Sequence, residues 1–335
     1  MKLDPENPQP GIYTGIPFTE YYHTRAISRS DLRHMQESPK YFHHRLTHPE
    51  PEPGRPLIVG DAAHAHVLEP RRFSDEYAVQ PDYTSDPVLM LEAAVSRAIR
   101  SGSLPKGFHL SRPEMAAVVE GLGEERVVEI EGVSLELHPI SRNTRLYRDA
   151  VADWELAHRG DVVITADEYA DIQAWTDAVH ADSLARSLLV EAKGFTELVV
   201  IFERERVLCK CRIDRYVQWN GYNMVADYKT AREIRESSWA RASSDYAYDW
   251  QAAMNLMALE YHEDVPRRFV DVCVRKSDDH DVVVYELEPA DMELAMREVD
   301  CALARVAHCR EKNCWPGIGD GKILYYSLPA WRRSC

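Results

Sequence analysis

The run CRIDRYVQWNGYNMVADYKT, residues 211–230, decides how this chain is read. At its centre, Asn220-Gly221 is the strongest short signal for a two-residue β-turn, and a turn there pairs Trp219 with Tyr222. Counting outward from that pair, Asp214 falls opposite Asp227. Like charges opposite each other destabilise paired strands, so something has to compensate them. Side chains alternate along a strand. Leu208, Lys210, Arg212 and Asp214 are therefore expected on one face, together with Asp227 and Lys229. Cys209, Cys211 and Ile213 turn the other way, toward a core.

Two carboxylates and an ammonium on one face suit a hard divalent cation. Mg²⁺ takes oxygen ligands, uses one or two carboxylates, and keeps places for water and substrate phosphate. Such an ion cancels the repulsion and polarises a phosphodiester. The carbonyl of Tyr228 is a further candidate ligand. Lys229 can hold or deprotonate an attacking water, since a partly desolvated lysine loses its proton more readily. A second run of this kind, Glu191-Ala192-Lys193, follows a helix and lacks an acidic partner on a paired strand.

The chain has 335 residues, 45% of them hydrophobic and 28% charged, with a formal net charge of −15. These are values of a globular protein with a sizeable core. Strong acidity argues against a general nucleic-acid coat protein, but a nuclease can confine its basic groups to one groove. No apolar run is long enough to cross a bilayer, and MKLDPENPQPGIYTG is polar and proline-rich, so a cytoplasmic location and no membrane partner are expected. Seven cysteines read as reduced thiols. Cys301, Cys309 and Cys314 lack close-spaced pairing, so no iron–sulfur cluster is expected.

Periodicity organises the rest. ISRSDLRHMQESPKYFHHRL (27–46) reads as two short helices, the first capped by Ser28 or Ser30 and the second opened by Ser38 with Pro39. LIVGDAAHAHVLEP (57–70) is a helix ended by Pro70. Residues from about 86 to 142 look like an insertion, two amphipathic helices and then a hairpin in RVVEIEGVSLEL. FTELVVIFE, RVLCKCRIDRYVQW and YNMVADYKT are consecutive strands, followed by the helix YAYDWQAAMNLMALEYH, two more strands and a helix from about Pro289. The pattern predicts an α/β domain, a mixed central sheet of about five strands flanked by helices. It divides into an N-terminal arm (1–25) and a single domain (26–335) carrying the insertion.

Two helices carry polar residues of interest. Gly60 and His64 are four apart and share a helix face, where Gly60 permits close approach of another backbone and His64 can point at a metal or phosphate. His66 lies about 200° away, so the two histidines are no chelating pair. Gln251 and Asn255 form a polar stripe on an otherwise apolar helix.

Together these segments resemble the RecE family of exonucleases (exodeoxyribonuclease VIII), within the PD-(D/E)XK nuclease superfamily with its restriction-endonuclease-like core. AISRSDLRHMQESPKYF is similar to an early motif of that family, GDAAHAHVLEP to its G-x-x-x-H motif, CRIDRY and DYKT to its two acidic motifs, YDWQAAMN to its glutamine helix, and CWPGI…YSLPAW to its C-terminal signature. The resemblance implies that His64, Asp214 and Asp227 bind divalent metal, Mg²⁺ with Mn²⁺ able to substitute, and that Lys229 is catalytic. Gln251 then contacts Lys229 or the DNA backbone, and Glu197 is an outer ligand. The chain departs from the family at Asn255, where tyrosine is usual.

The activity so implied is digestion of linear double-stranded DNA, 5′ to 3′, leaving 3′ single strands for recombination by a RecT-like annealing protein. A homo-oligomeric ring, trimer or tetramer, belongs to the same expectation. The phosphate backbone needs cations, and Arg25, Arg29, Arg33, Lys40, Lys210, Arg212 and Arg215 are the candidates. The competing readings are an iron–sulfur single-strand exonuclease of the same superfamily and a catalytically silent DNA-binding or scaffold protein, since a fold does not guarantee an activity.

Overall fold

The expected turn forms. In the computed structural model, which describes residues 2–48, 54–120, 122 and 126–328, Asn220 and Gly221 take φ of +47° and +82°. Two left-handed residues give the turn whose twist matches that of the flanking strands. Trp219 pairs with Tyr222, and the ladder runs through Gln218–Asn223, Val217–Met224 and Tyr216–Val225 to Arg215–Ala226. Asp214 and Asp227 come next in that register, and there the ladder stops.

In chain order the strands are β1 (Gly11–Tyr13), β2 (Tyr77–Gln80), β3 (Val127–Ile130), β4 (Val133–Glu136), β5 (Val162–Thr165), β6 (Gly194–Arg204), β7 (Val207–Trp219), β8 (Tyr222–Ala231), β9 (Arg267–Arg275) and β10 (Val282–Tyr285). The main sheet has six strands in the order β1-β6-β7-β8-β9-β10. All its neighbours are antiparallel except β8 and β9, which run parallel. A parallel pair needs a crossover, and the helices Glu236–Tyr246 and Tyr248–His262 supply it. This is the mixed α/β sheet that the pattern indicates. The N-terminal segment is more than an arm, because β1 pairs with β6 and Leu3 and Tyr13 pack on Val199 and Ile201.

The helices Tyr248–His262 and Pro289–Lys312 bury one face of the sheet. Ala252, Ala253 and Ala258 let the crossover helix lie close to the strands, while Ala295, Val299, Leu303 and Val306 recur at helical spacing on the second. They meet Leu198, Val200 and Phe202 of β6 with Cys209, Cys211 and Ile213 of β7, so the cysteines face the core as alternation requires. Ser28 caps Arg29–Leu32 in a capping box with Asp31, and Ser38 with Pro39 opens Pro39–Thr47.

The chain divides into two compact units, Met1–Glu69 with Ala174–Cys335, and Pro70–Gln173. The second is wider than the 86–142 segment expected, because β2 and β5 pair in parallel, Tyr77 with Val162 through Gln80 with Thr165. Inside it the β3–β4 hairpin and the helix Pro87–Ser101 share a core of Met90, Leu91, Ala94, Val128 and Leu135.

Gly194 opens β6 opposite Val217. A Cβ there would lie 2.1 Å from the Tyr216 carbonyl oxygen and 2.7 Å from Val217 Cα, and neither can move without opening the ladder. Gly194→Ala is expected to cost about 2 kcal/mol or more of stability, read as a lower denaturant midpoint. An unchanged midpoint would show that β6 and β7 do not approach this closely.

Candidate active site

Where β7 and β8 part, the Asp214 side chain stands in for the missing strand partner. Its Oδ2 accepts the Tyr228 backbone N–H at 2.8 Å and lies 3.2 Å from His64 Nδ1. His64 comes from the helix Arg55–Leu68, and its ring sits 5.1 Å from that of Tyr228. A Cβ at Gly60 would meet no atom within 4 Å, so the close approach expected there is absent among the described residues. His66 turns away and bonds Thr176 Oγ1 at 2.7 Å.

Glu197 of β6 is bracketed by the pairs Thr196–Arg215 and Leu198–Ile213, which sets it opposite Asp214. Its φ is +50°, uncommon for a residue other than glycine and worth about 1 kcal/mol of strain or more. Arg212 Nε lies 2.5 Å from Glu197 Oε2, and the same guanidinium is 3.6 Å from Glu69. Ligand atoms of His64, Glu197 and Asp214 all lie within 4.8 Å of one another. One imidazole nitrogen and two carboxylates, mostly buried, form a donor set that fits a divalent cation. Glu197, expected as an outer ligand, belongs to this central group.

Asp227 is engaged elsewhere. Its Oδ1 accepts from Gln251 Nε2 at 2.6 Å, and its Oδ2 pairs with Lys229 Nζ. Gln251 Oε1 in turn accepts from Lys229 Nζ at 3.3 Å and from Arg29 at 3.0 Å. Arg29 also donates to the Tyr246 carbonyl at 3.1 Å, and the Lys229 ammonium lies 5.0 Å from the Tyr248 ring centroid. Gln251 therefore ties acid to base from the first turn of the crossover helix. Asn255, one turn on, is buried in the core and forms no solvent-facing stripe with it.

β9 adds a residue that the sequence reading passed over. Asp227 pairs with Asp271 in the β8–β9 register. Glu197, Asp214, Asp227 and Asp271 thus stand level on four adjacent strands. The signal was an acid inside the apolar run RFVDVCV, where a parallel strand covered on both faces should be apolar throughout.

Crowding and burial shape the charges. Burial and the Asp214 charge push Glu197 up to about 7, and burial with Asp227 does the same to Asp271. Burial and Asp214 also raise Asp227. Burial would lower His64, but the adjoining Asp214 overrules it and lifts the imidazole to about 9. Burial opposes the charge on Asp214 too, and His64 outweighs it, holding that carboxyl below its ordinary value. For Lys229 burial opposes the charge, yet Asp227, Asp214 and Asp271 raise its pKa. This corrects the expectation that desolvation would favour neutral lysine. Three carboxylates keep it an ammonium.

The expected basic surface is also corrected. Lys210 is buried, donating to the carbonyls of Tyr21, Tyr22 and Thr24 at 3.0, 2.9 and 2.8 Å, where it closes the end of the helix Phe18–His23. Arg215 is buried on Thr196 Oγ1 and the Ala192 carbonyl, each at 2.6 Å. Arg212 serves Glu197, with a side chain 9% exposed. Alternation had set Lys210 and Arg212 on a face but could not say what covers it. Arg29 is bound into the site, Arg33 is half-buried, and Arg25 and Lys40 are exposed, Arg25 in a pair with Glu6 at 2.6 Å. In the C-terminal motif, Trp315 stacks on His43 at 4.6 Å, while Pro329–Trp331 lie outside the described residues.

Residues 145–327, more than half of the chain, match a family model described as "PDDEXK-like domain of unknown function (DUF3799)". The chain belongs to this family. A crystal structure from Eubacterium rectale, described as a "Putative exonuclease", superposes with a TM-score of 0.53 at 11% identity, over 96% of this chain and 99% of that one. At that identity the likeness is one of fold. No curated protein matches the sequence. Within the matched segment this PDDEXK-like domain holds Glu197, Asp214, Asp227, Lys229, Gln251 and Asp271, whereas His64 and Arg29 come from before it.

The shifted proton affinities of the site give a direction for stability without metal. Glu197, Asp271 and His64 all have folded values above their ordinary ones, so the folded chain holds protons that the unfolded chain releases. The stability they contribute is complete below the ordinary value and is lost as pH rises through the folded one. In a chelator, the melting temperature is expected to fall as pH rises from about 5 to 9, and Glu197→Gln is expected to flatten the acidic part of that slope. A melting temperature that climbs over this range would contradict the charge balance described.

Proposed function

We propose that this protein is a divalent-metal-dependent nuclease that digests linear double-stranded DNA from its ends. The observation that supports this most directly is the gathering of His64, Glu197 and Asp214 within 4.8 Å, beside the acid–base group of Asp227, Lys229 and Gln251. Mg²⁺, or Mn²⁺ in its place, would be held by His64, Glu197, Asp214, Asp227 and the Tyr228 carbonyl, and when bound supplies a Lewis acid for a phosphodiester. Asp214 fixes the ring of His64 through its 3.2 Å contact. Lys229 holds the attacking water and, as an ammonium, balances charge that builds up on the phosphorus oxygens. Gln251 and Arg29 keep its Nζ in place.

The finer reading follows the resemblance to RecE-type exonucleases. Digestion runs 5′ to 3′, leaves 3′ single strands for a RecT-like annealing partner, and takes place in a ring of three or four copies. With Lys210, Arg212 and Arg215 occupied inside the fold, the cations left for the phosphate backbone are Arg25, Arg33 and Lys40, joined by Arg29 at the site. Contacts of this kind read no sequence and weaken as salt rises.

End-labelled linear duplex and closed circular duplex, each incubated with Mg²⁺, test this directly. The linear form is expected to shorten while the circle resists. Lys229→Ala is expected to slow the reaction about 100-fold or more and still bind Mg²⁺ in calorimetry, because lysine is no ligand. Equal cleavage of both forms would make the protein an endonuclease. No metal-dependent loss of either would end the nuclease reading.

A further inference from the structure

Asp227 is not among the ligand atoms gathered with His64, Glu197 and Asp214. Gln251 takes its Oδ1 and Lys229 its Oδ2. Turning this carboxylate toward His64, Glu197 and Asp214 takes the counter-charge from an ammonium whose side chain is only 14% exposed. A buried charge stripped of its partner is costly, and the fold has to provide another acceptor.

The neighbouring strand holds one. Asp271 stands beside Asp227, and Cys273 beside Lys229, in the parallel β8–β9 register. Lys229 and Asp271 are therefore diagonal neighbours on one face of the sheet. The Asp271 Oδ1 is buried with no hydrogen-bond partner among the described residues. A buried carboxylate oxygen without a donor is uncommon and calls for an explanation.

We propose that Asp271 is a positioning residue, the acceptor that takes over the Lys229 ammonium when Asp227 turns to the metal. This rests on the metal reading of the site given above. Asp271 makes Asp227 available as a ligand and keeps Lys229 charged and oriented while it does so. It touches neither the metal nor the phosphate, and its effect runs through Lys229.

Calorimetry of the full chain with Mg²⁺ alone, without DNA, separates this from other roles. Asp271→Asn keeps the shape of the side chain and removes its charge. It is expected to weaken Mg²⁺ binding about tenfold, and Asp271→Glu, which keeps the charge, is expected to restore most of the affinity. In a Lys229→Met background there is no ammonium to hold, so adding Asp271→Asn is expected to change nothing, a coupling that a double-mutant cycle measures. An equal loss in both backgrounds would mean that Asp271 is a ligand or a purely structural group, and would overturn the proposal. So would an Asp271→Asn variant that binds as well as the unaltered chain. If the unaltered chain binds no Mg²⁺, the metal reading falls and this proposal with it.

Discussion

Four carboxylates level on adjacent strands are the constraint around which this fold is arranged. Neighbouring strands lie about 4.8 Å apart, and like charges at such spacing repel by several kcal/mol in a partly buried setting, roughly 3 to 4 at an intermediate dielectric. No sheet holds such a row unaided. The answering groups come from every side: His64 from a helix ahead of the sheet, Gln251 from the crossover helix, Arg29 from the N-terminal segment, and Arg212 and Lys229 from the strands themselves. The backbone yields as well. β7 and β8 part at Asp214, which accepts an N–H that the ladder leaves free, and Glu197 takes a left-handed conformation opposite it.

Because the sheet is mixed, the row crosses two kinds of pairing. The antiparallel β7–β8 hairpin brings Asp214 and Asp227 together through local turn chemistry. The parallel β8–β9 pair adds Asp271 only after the chain has passed through two helices. That same crossover delivers Gln251 in the first turn of its second helix. Topology thus explains why the residue that ties Asp227 to Lys229 sits on this helix.

The parts legible in the sequence are those whose causes are local. Asn220-Gly221 determines a turn, the turn determines a register, and alternation sends Cys209, Cys211 and Ile213 to the core, as found. The caps at Ser28 and Ser38 read off two or three residues. What stayed hidden depends on distant pairing. Nothing near residue 77 announces a parallel partner at 162, so the second unit came out wider than its helical pattern suggests. Asp271 stayed unmarked because its meaning appears only when β9 lies beside β8. Lys210, Arg212 and Arg215 looked like a basic surface because periodicity gives a side chain's direction and not its cover. The segments that bury Lys210 and Arg212 come from the first seventy residues.

The balance of the site without metal explains how so acidic a row can be buried at all. His64, raised to about 9, is protonated at neutral pH and faces Asp214. Lys229 faces Asp227, and Arg212 faces Glu197. Each of these three carboxylates has its own cation, while burial and crowding hold both Glu197 and Asp271 up to about 7, so that these two are partly protonated. The pairs differ in how readily they exchange. A guanidinium keeps its charge at any physiological pH, so Arg212 stays a fixed counter-charge. His64 can release its proton to solvent and so free a ring nitrogen for a metal, since imidazole binds a metal only in its neutral form. The His64–Asp214 pair is therefore the part of the row whose compensating charge is a removable proton, while the Glu197 beside it keeps a counter-charge that stays fixed.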